Sequence, residues 1–259
     1  MGKDGTTKWI PQVSVGRHVS AAGADYAREK VSAALVHAPE AVTSARVRLT
    51  GHADPAVRRP VVAQANVHLD GRHVRVQVAA ETTREAVDLL ADRLKGRMAR
   101  AVRGARHNGN EWPHGDISRR WLPYFPRSAD RQQVVRHKSY APAVQTCDEA
   151  AFEMSMLDYD FHLFTESGSG SDSVLYRGDD GRYRLAQVDP APDRVTRGAV
   201  PFTVSLVHAP VLDLEGAIVR LELTGLPFAF FRDRDSNRGR VLYHRYDGNY
   251  GLITPPSTR

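Results

Sequence analysis

The spacing of apolar positions divides the chain into three stretches. The first opens with IPQVSVGR, which alternates and predicts a strand, after which Ser20 caps a helix predicted to run to about Leu35. SARVRLTG, VVAQANVHLDG and RHVRVQVAA then alternate with period two and predict three strands, the last two joined at a Gly71 turn. From about Thr83 to Arg106 the period becomes helical, with Val87, Leu90, Leu94, Met98 and Ala101 on one face as a stripe that packs on the sheet. The predicted order is β-α-β-β-β-α over residues 1–106.

Periodicity is lost over residues 107–131, where three prolines, two glycines and the aromatics Trp112, Trp121, Tyr124 and Phe125 read as a linker; a second linker covers 189–201. The segments between and after them, 132–188 and 202–259, are copies of each other. A shift of 67 residues places Phe161, Phe164, Val174, Leu175, Tyr176, Asp180, Gly181, Tyr183 and Leu185 on Phe228, Phe231, Val241, Leu242, Tyr243, Asp247, Gly248, Tyr250 and Leu252 without a gap. Ala141-Pro142 meets Ala209-Pro210 after a one-residue slip. In each copy a β-prone stretch (134–140; 202–207) precedes a helical one (148–158; 214–224) and three further β-prone runs, with Asp-Gly as the last hairpin turn. The whole is an α+β protein: one β-α-β-β-β-α domain followed by two tandem β-α-β-β-β modules of about 55 residues.

Charge separates these parts. Of the 36 Lys and Arg and 30 Asp and Glu in 259 residues, residues 1–110 hold 18 basic and 10 acidic side chains, so the first part carries +8 and the remainder −2. The first domain is suited to a polyanion. The absence of an 18-residue apolar run and of an apolar leader at the start argues against a membrane span and ordinary secretion, so the expected location is the cytoplasm. One cysteine, Cys147, excludes an intrachain disulfide.

Catalytic and cofactor signatures fail one by one. Asp233, Asp235 and Asn237 imitate a calcium loop, but Arg238 stands where glycine belongs and His244 where glutamate belongs. SGSGSDS (167–173) lacks the ending of a phosphate loop, and no helical His pair has metal-ligand spacing. The sequence reads as a non-enzyme without metal, cofactor or small-molecule substrate. What it offers is a set of cations on the first domain: Arg17, His18, Arg28, Lys30, Arg84, Arg93, Lys95, Arg97, Arg100, Arg103 and Arg106. Arg93, Arg97 and Arg100 fall within roughly 60° of one another on the long helix, a ruler of charge that bridges closely spaced phosphates of a folded RNA. No strand carries the aromatic pattern of single-strand RNA modules, so RNA shape is the expected target.

VVRHKSYAPAVQTCDEAAFEMSMLDYDFHLFTES and SVLYRGDDGRYRLAQ closely resemble the C-terminal domain of long-form ribosome hibernation-promoting factors, and the last module, ending VLYHRYDGNYGLI, resembles it again. VSAAGADYAREKV, at Val19, Ser20, Tyr26 and Lys30, and AVDLLADRLKGRMAR, at Val87, Asp88, Asp92, Arg93, Leu94 and Arg100, are similar to the two helices of that family's ribosome-binding domain; Gly23 and Gly96 depart from it. The resemblance implies a ribosome-associated factor that binds the decoding region of the small subunit through rRNA, occludes transfer and messenger RNA, and keeps idle ribosomes inactive and protected. The Ala-, Arg- and Val-rich composition agrees with a GC-rich bacterial genome.

Two other readings are a general stress-linked RNA-binding protein and an oligomerisation adaptor that dimerises ribosomes. The family pattern has one C-terminal module, whereas this chain carries two. The expected consequence is intrachain pairing of Phe161, Phe164, Val174 and Tyr176 with Phe228, Phe231, Val241 and Tyr243, giving a monomer that silences single ribosomes, with a homodimer as the alternative.

Overall fold

The computed structural model describes residues 9–53, 57–70, 72–106, 133–139, 143–178, 180–245 and 247–255, with backbone alone for 102–106 and 136–139. The linker read at 107–131 lies outside them. The chain divides into two compact units, one of residues 1–109 with 156–158, the other of 110–155 with 159–259.

The first unit is a four-stranded sheet of β1 (Gln12–Val15), β2 (Val42–Gly51), β3 (Val61–Leu69) and β4 (Arg72–Ala80), in that order, with helices α1 (Ala21–Leu35) and α2 (Thr83–Arg106). β1 runs parallel to β2, and the rest is antiparallel. Ser20 takes the N-cap of α1, its hydroxyl accepting from the Gly23 N–H at 3.2 Å, and Thr82 accepts from the Glu85 N–H at the start of α2. Alternation assigns the sheet faces: Ala45, Val47, Leu49, Ala63, Ala65, Val67, Val74 and Val76 are buried, and so are Val87, Leu90, Leu94, Met98 and Ala101 of α2. The helical stripe read from the sequence is therefore the core layer.

The second unit contains α3 (Cys147–Leu157) as far as Ser155, α4 (Leu214–Thr224) and two five-stranded sheets. One copy contributes β6 (Val144–Gln145), β7 (Phe161–Glu166), β8 (Asp172–Arg177) and β9 (Tyr183–Gln187). The other contributes β11 (Val211–Leu212), β12 (Phe228–Asp233), β13 (Gly239–His244) and β14 (Tyr250–Thr254). Thr146 and Glu149 form a reciprocal cap at α3, and Asp213 caps α4 by accepting from the Gly216 N–H at 2.8 Å. The Asp-Gly turns form as read, with Gly181 and Gly248 at φ 75° and 77°, a conformation glycine adopts without steric cost.

One feature departs from the expected self-contained β-α-β-β-β modules. The leading strand of each copy sits in the sheet of the other: β5 (Val134–Ser139) pairs in parallel with β14, and β10 (Phe202–Val204) pairs in parallel with β9. The exchange is reciprocal. Phe202 and Val204 pack against the core of the first copy, and Val134 against that of the second. Each copy also has a two-residue strand, β6 or β11, too short to register as alternation. No described helix is long and apolar enough to cross a membrane.

Candidate nucleic-acid interface and module-pairing face

On the first unit α1 and α2 are fastened by polar contacts at one point. The Tyr26 hydroxyl donates to Asp88 Oδ1 at 2.7 Å, and Lys30 Nζ lies 3.2 Å from the same oxygen. The Tyr26 ring carries two cations nearby, Lys30 at 5.3 Å and Arg84 at 5.0 Å from its centroid. The Tyr26 hydrogen bond, with Lys30, holds the Asp88 carboxyl below its ordinary value, and Tyr26, then Asp88, raise Lys30, so both stay ionised. Gly23 sits where α1 approaches α2: a Cβ there would lie 2.8 Å from the Thr83 methyl. The close approach accounts for its departure from a larger residue.

Around this knot the candidate cations divide by exposure. Arg17, His18, Arg84 and Lys95 are exposed, whereas Arg28 pairs with Asp25 at 2.5 Å. Half-buried Arg93 donates to the Gln77 carbonyl at 3.3 Å, and Arg100 is half-buried. Arg97 differs from the expected ruler of charge: it is 8% exposed, with its guanidinium 2.5 Å from Asp158. Beside an apolar stripe, small rotations about the helix axis decide which arginine is solvated. Arg103 and Arg106 lie on α2, but their side chains fall outside the described residues.

The sheet's opposite face is polar. Register aligns Gln12, Arg46, Asn66 and Arg75 in one row and Ser14, Arg48, Gln64 and Gln77 in the next. Arg46, Arg48 and His68 are exposed, and the His68 and His73 rings stack at 4.3 Å. Arg75 donates to Gln64 Oε1 at 3.4 Å and to Gln77. Strand alternation places Arg48, His68 and Arg75 on this face as the alternative to the helix-borne cations, and the structure adds Arg46 beside them.

In the second unit Phe161, Val174 and Tyr176 form one cluster with Phe228, Val241 and Tyr243, together with Leu163, Phe230, Ala186 and Ile253. The Phe161 and Phe228 rings stand 4.6 Å apart, Phe161 and Tyr243 5.6 Å, and Tyr176 and Phe228 5.5 Å, tilted or edge-on. Phe164 and Phe231 do not belong to it. Each is fully buried in its own copy, Phe164 against Ala151 and Met154 of α3, Phe231 against Ala217 and Leu221 of α4. The reason is the two-residue period of a strand, which sends residues three apart to opposite faces. The same period identifies Leu163 and Phe230, which sequence reasoning missed.

Cys147 is buried, and burial, then Glu166 and Asp148, pushes its thiol up to about 12, away from the thiolate a nucleophile needs. Among the described residues no group of three or more His, Cys, Asp or Glu is placed to hold a metal ion.

Comparison with known proteins agrees with this division. Residues 13–103 match the family described as sigma 54 modulation protein / S30EA ribosomal protein. Its C-terminal part, sigma 54 modulation/S30EA ribosomal protein C terminus, matches twice, at 129–185 and 203–252. The chain is 34% identical over 218 residues to the dormancy associated translation inhibitor of Mycobacterium tuberculosis, covering 82% of this chain and 76% of that protein. It is 25% identical over 174 residues to the ribosome hibernation promotion factor of Picosynechococcus, covering 63% and 88%. Among solved structures, the N-terminal domain of Thermus thermophilus Protein Y is 23% identical and covers 36% of this chain and 99% of its own, at a TM-score of 0.30. With both parts of the family matched in order, and a relative 34% identical over most of the length, the chain belongs to the sigma 54 modulation/S30EA ribosomal protein family in its long form.

Proposed function

We propose that the chain is a ribosome hibernation factor whose first unit binds rRNA at the decoding region of the small subunit and whose second unit is an intrachain pair of modules, so that it silences single ribosomes. The names of its relatives, a translation inhibitor and a hibernation promotion factor, support the general reading. The observation that carries the finer one is the division of charge: the basic excess lies in the first unit, on a pair of helices already fastened at Tyr26, Lys30 and Asp88. Cations held on packed helices meet phosphates with little ordering cost, and the backbone contacts they make fix position rather than read sequence. Inhibition is then occupancy. A factor lodged in the decoding region excludes transfer and messenger RNA, and no bond is made or broken.

Pairing within the chain follows from the apolar faces of the second unit, whose occupant is supplied by the neighbouring copy. A covalently attached partner acts at an effective concentration in the millimolar range, which outcompetes a second chain at ordinary cellular levels. Co-sedimentation across a salt series tests the first part. The expected result is a pelleted complex whose log affinity falls with log salt, with a shallower slope, by roughly 0.7 to 0.9 for each phosphate contact removed, in Arg84→Ala/Lys95→Ala. An unchanged slope moves the interface to Arg46, Arg48 and His68. Equal binding to unrelated folded RNA supports the general RNA binder instead. A ribosome-dimer peak in sucrose gradients that depends on residues 202–259 overturns the single-ribosome part.

A further inference from the structure

The correspondence that relates the two copies also shows where they cease to be equivalent. Shifted by 67, Asp172 at the start of β8 falls on Gly239 at the start of β13, and Ser171 falls on Arg238. Asp172, Arg238 and Gly239 meet in the structure. Arg238 donates from Nε and Nη2 to the two carboxylate oxygens of Asp172 at 2.7 and 3.0 Å, and the Gly239 N–H donates to Oδ2 at 2.8 Å. Asp172 is 8% exposed. A Cβ on Gly239 would stand 2.8 Å from the Cβ of Asp172 and 3.0 Å from Phe230 and from Val188. One copy brings a desolvated carboxylate; the other brings the guanidinium and the space to admit it.

Corresponding residues face each other elsewhere too, Phe161 on Phe228 and Val174 in one cluster with Val241, which is the signature of a local twofold relation between the copies. Most of that apolar face is alike on both sides and does not discriminate between partners. We infer that Asp172, Arg238 and Gly239 form a lock that makes the two modules selective for each other and excludes pairing of like with like. Two modules of the first kind would set Asp172 against Asp172, with Ser171 where the arginine is needed. Each carboxylate would be buried without a cation, and their Cβ atoms would collide. Two modules of the second kind would set Arg238 against Arg238 with no acceptor. The first arrangement leaves buried charge uncompensated and the second sets two half-buried cations together, and these are the repulsive elements that specificity requires. The occupant that fits each face is the unlike copy, and the nearest one is in the same chain. This selectivity rests on the module pairing proposed above, but not on ribosome binding.

Two full-length variants test it. S171R/D172G gives both modules the Arg-Gly pair, and R238S/G239D gives both the Ser-Asp pair. Each alone is expected to melt well below the parent. Refolded together in equal amounts they are expected to form a species of twice the mass, because each module then finds its complement on the other chain, an exchange read by light scattering after gel filtration. Parent-like melting of either variant alone, or no heterodimer from the mixture, overturns the lock. A milder cycle of D172N, R238S and their combination covers the case in which the larger changes prevent refolding. The combined variant is expected to melt no lower than the worse single one, and additive losses overturn the lock. A parent chain that is itself dimeric overturns intrachain pairing while leaving the cycle decisive for the lock.

Discussion

Both units lay helices on one face of each sheet, and they part company on the other face. In the first unit that face carries Arg46, Arg48, Gln64, Asn66 and His68. In the second it carries Phe161, Leu163, Val174 and Tyr176 from one copy and Phe228, Phe230, Val241 and Tyr243 from the other, and the two faces cover each other. The layout of layers is shared; the alternate residues of the strands decide whether a sheet stands with one dry face or needs two. A module of some 55 residues buries little surface by itself and is marginal alone, and an apolar second face adds burial through a partner. The first unit instead builds its core from a 24-residue helix and a 15-residue helix on four strands, and its second face is left for polar contacts.

The comparison breaks most visibly under an inserted charge. Val174→Asp places a carboxylate at a fully buried position between the two sheets and is expected to cost about 4 kcal/mol. Arg48→Glu on the matching face of the first unit is expected to stay within about 0.5 kcal/mol. Urea unfolding followed by hydrogen exchange in each unit checks the pair; equal losses would mean that the two faces do not differ in kind.

A finer cut separates the two layers within the second unit. Phe164→Ala empties one module's own core and is expected to cost roughly 3–5 kcal/mol. Half-buried Phe161→Ala, on the pairing face, is expected to cost about 2 kcal/mol. Reversal of this order in thermal melts would exchange the roles of the two faces.

The smallest effect is expected from acid. His162 is held below its ordinary value of 6.5 by burial, against the opposing pull of Glu153 at 3.2 Å; His244 is likewise lowered by burial, against Glu222 at 3.7 Å. Depressed histidines contribute stability that is fully present above pH 6.5 and is lost as pH falls through their folded values. The second unit is thus expected to melt lower at pH 5.5 than at pH 7.5, and His162→Gln to flatten the difference. A melting temperature that rises on acidification would show the two glutamates winning.

Local signals were legible wherever the chain's own neighbours decide the outcome. The Ser20 cap, the α2 stripe from Val87 to Ala101, the extent of α4 and the Asp-Gly turns all follow from residues within a few positions of one another. The strand exchange was not legible, because parallel pairing of Val134 with Tyr250 leaves no mark in the spacing of either segment. Misplacing Phe164 and Phe231 came from matching the repeat without applying the strand's period of two. Arg97 shows a different limit: charge density along a helix locates a basic surface, but the arginine nearest the apolar stripe is drawn into burial.

The exchanged strands also set an order of events during synthesis. β5 emerges early but cannot find its place until β14 exists, and the sheet built on β9 lacks its edge until β10 arrives. Such long sequence separation slows closure, because the entropy of the intervening loop is lost before the contact is made. The first unit, with strands and helices joined to their neighbours in sequence, has its sheet and both helices as soon as Arg106 has emerged and lacks only residues 156–158. A nascent chain therefore displays the sheet and helices of its basic domain while its paired modules remain open, and the last step of completion is the return of β5 to β14.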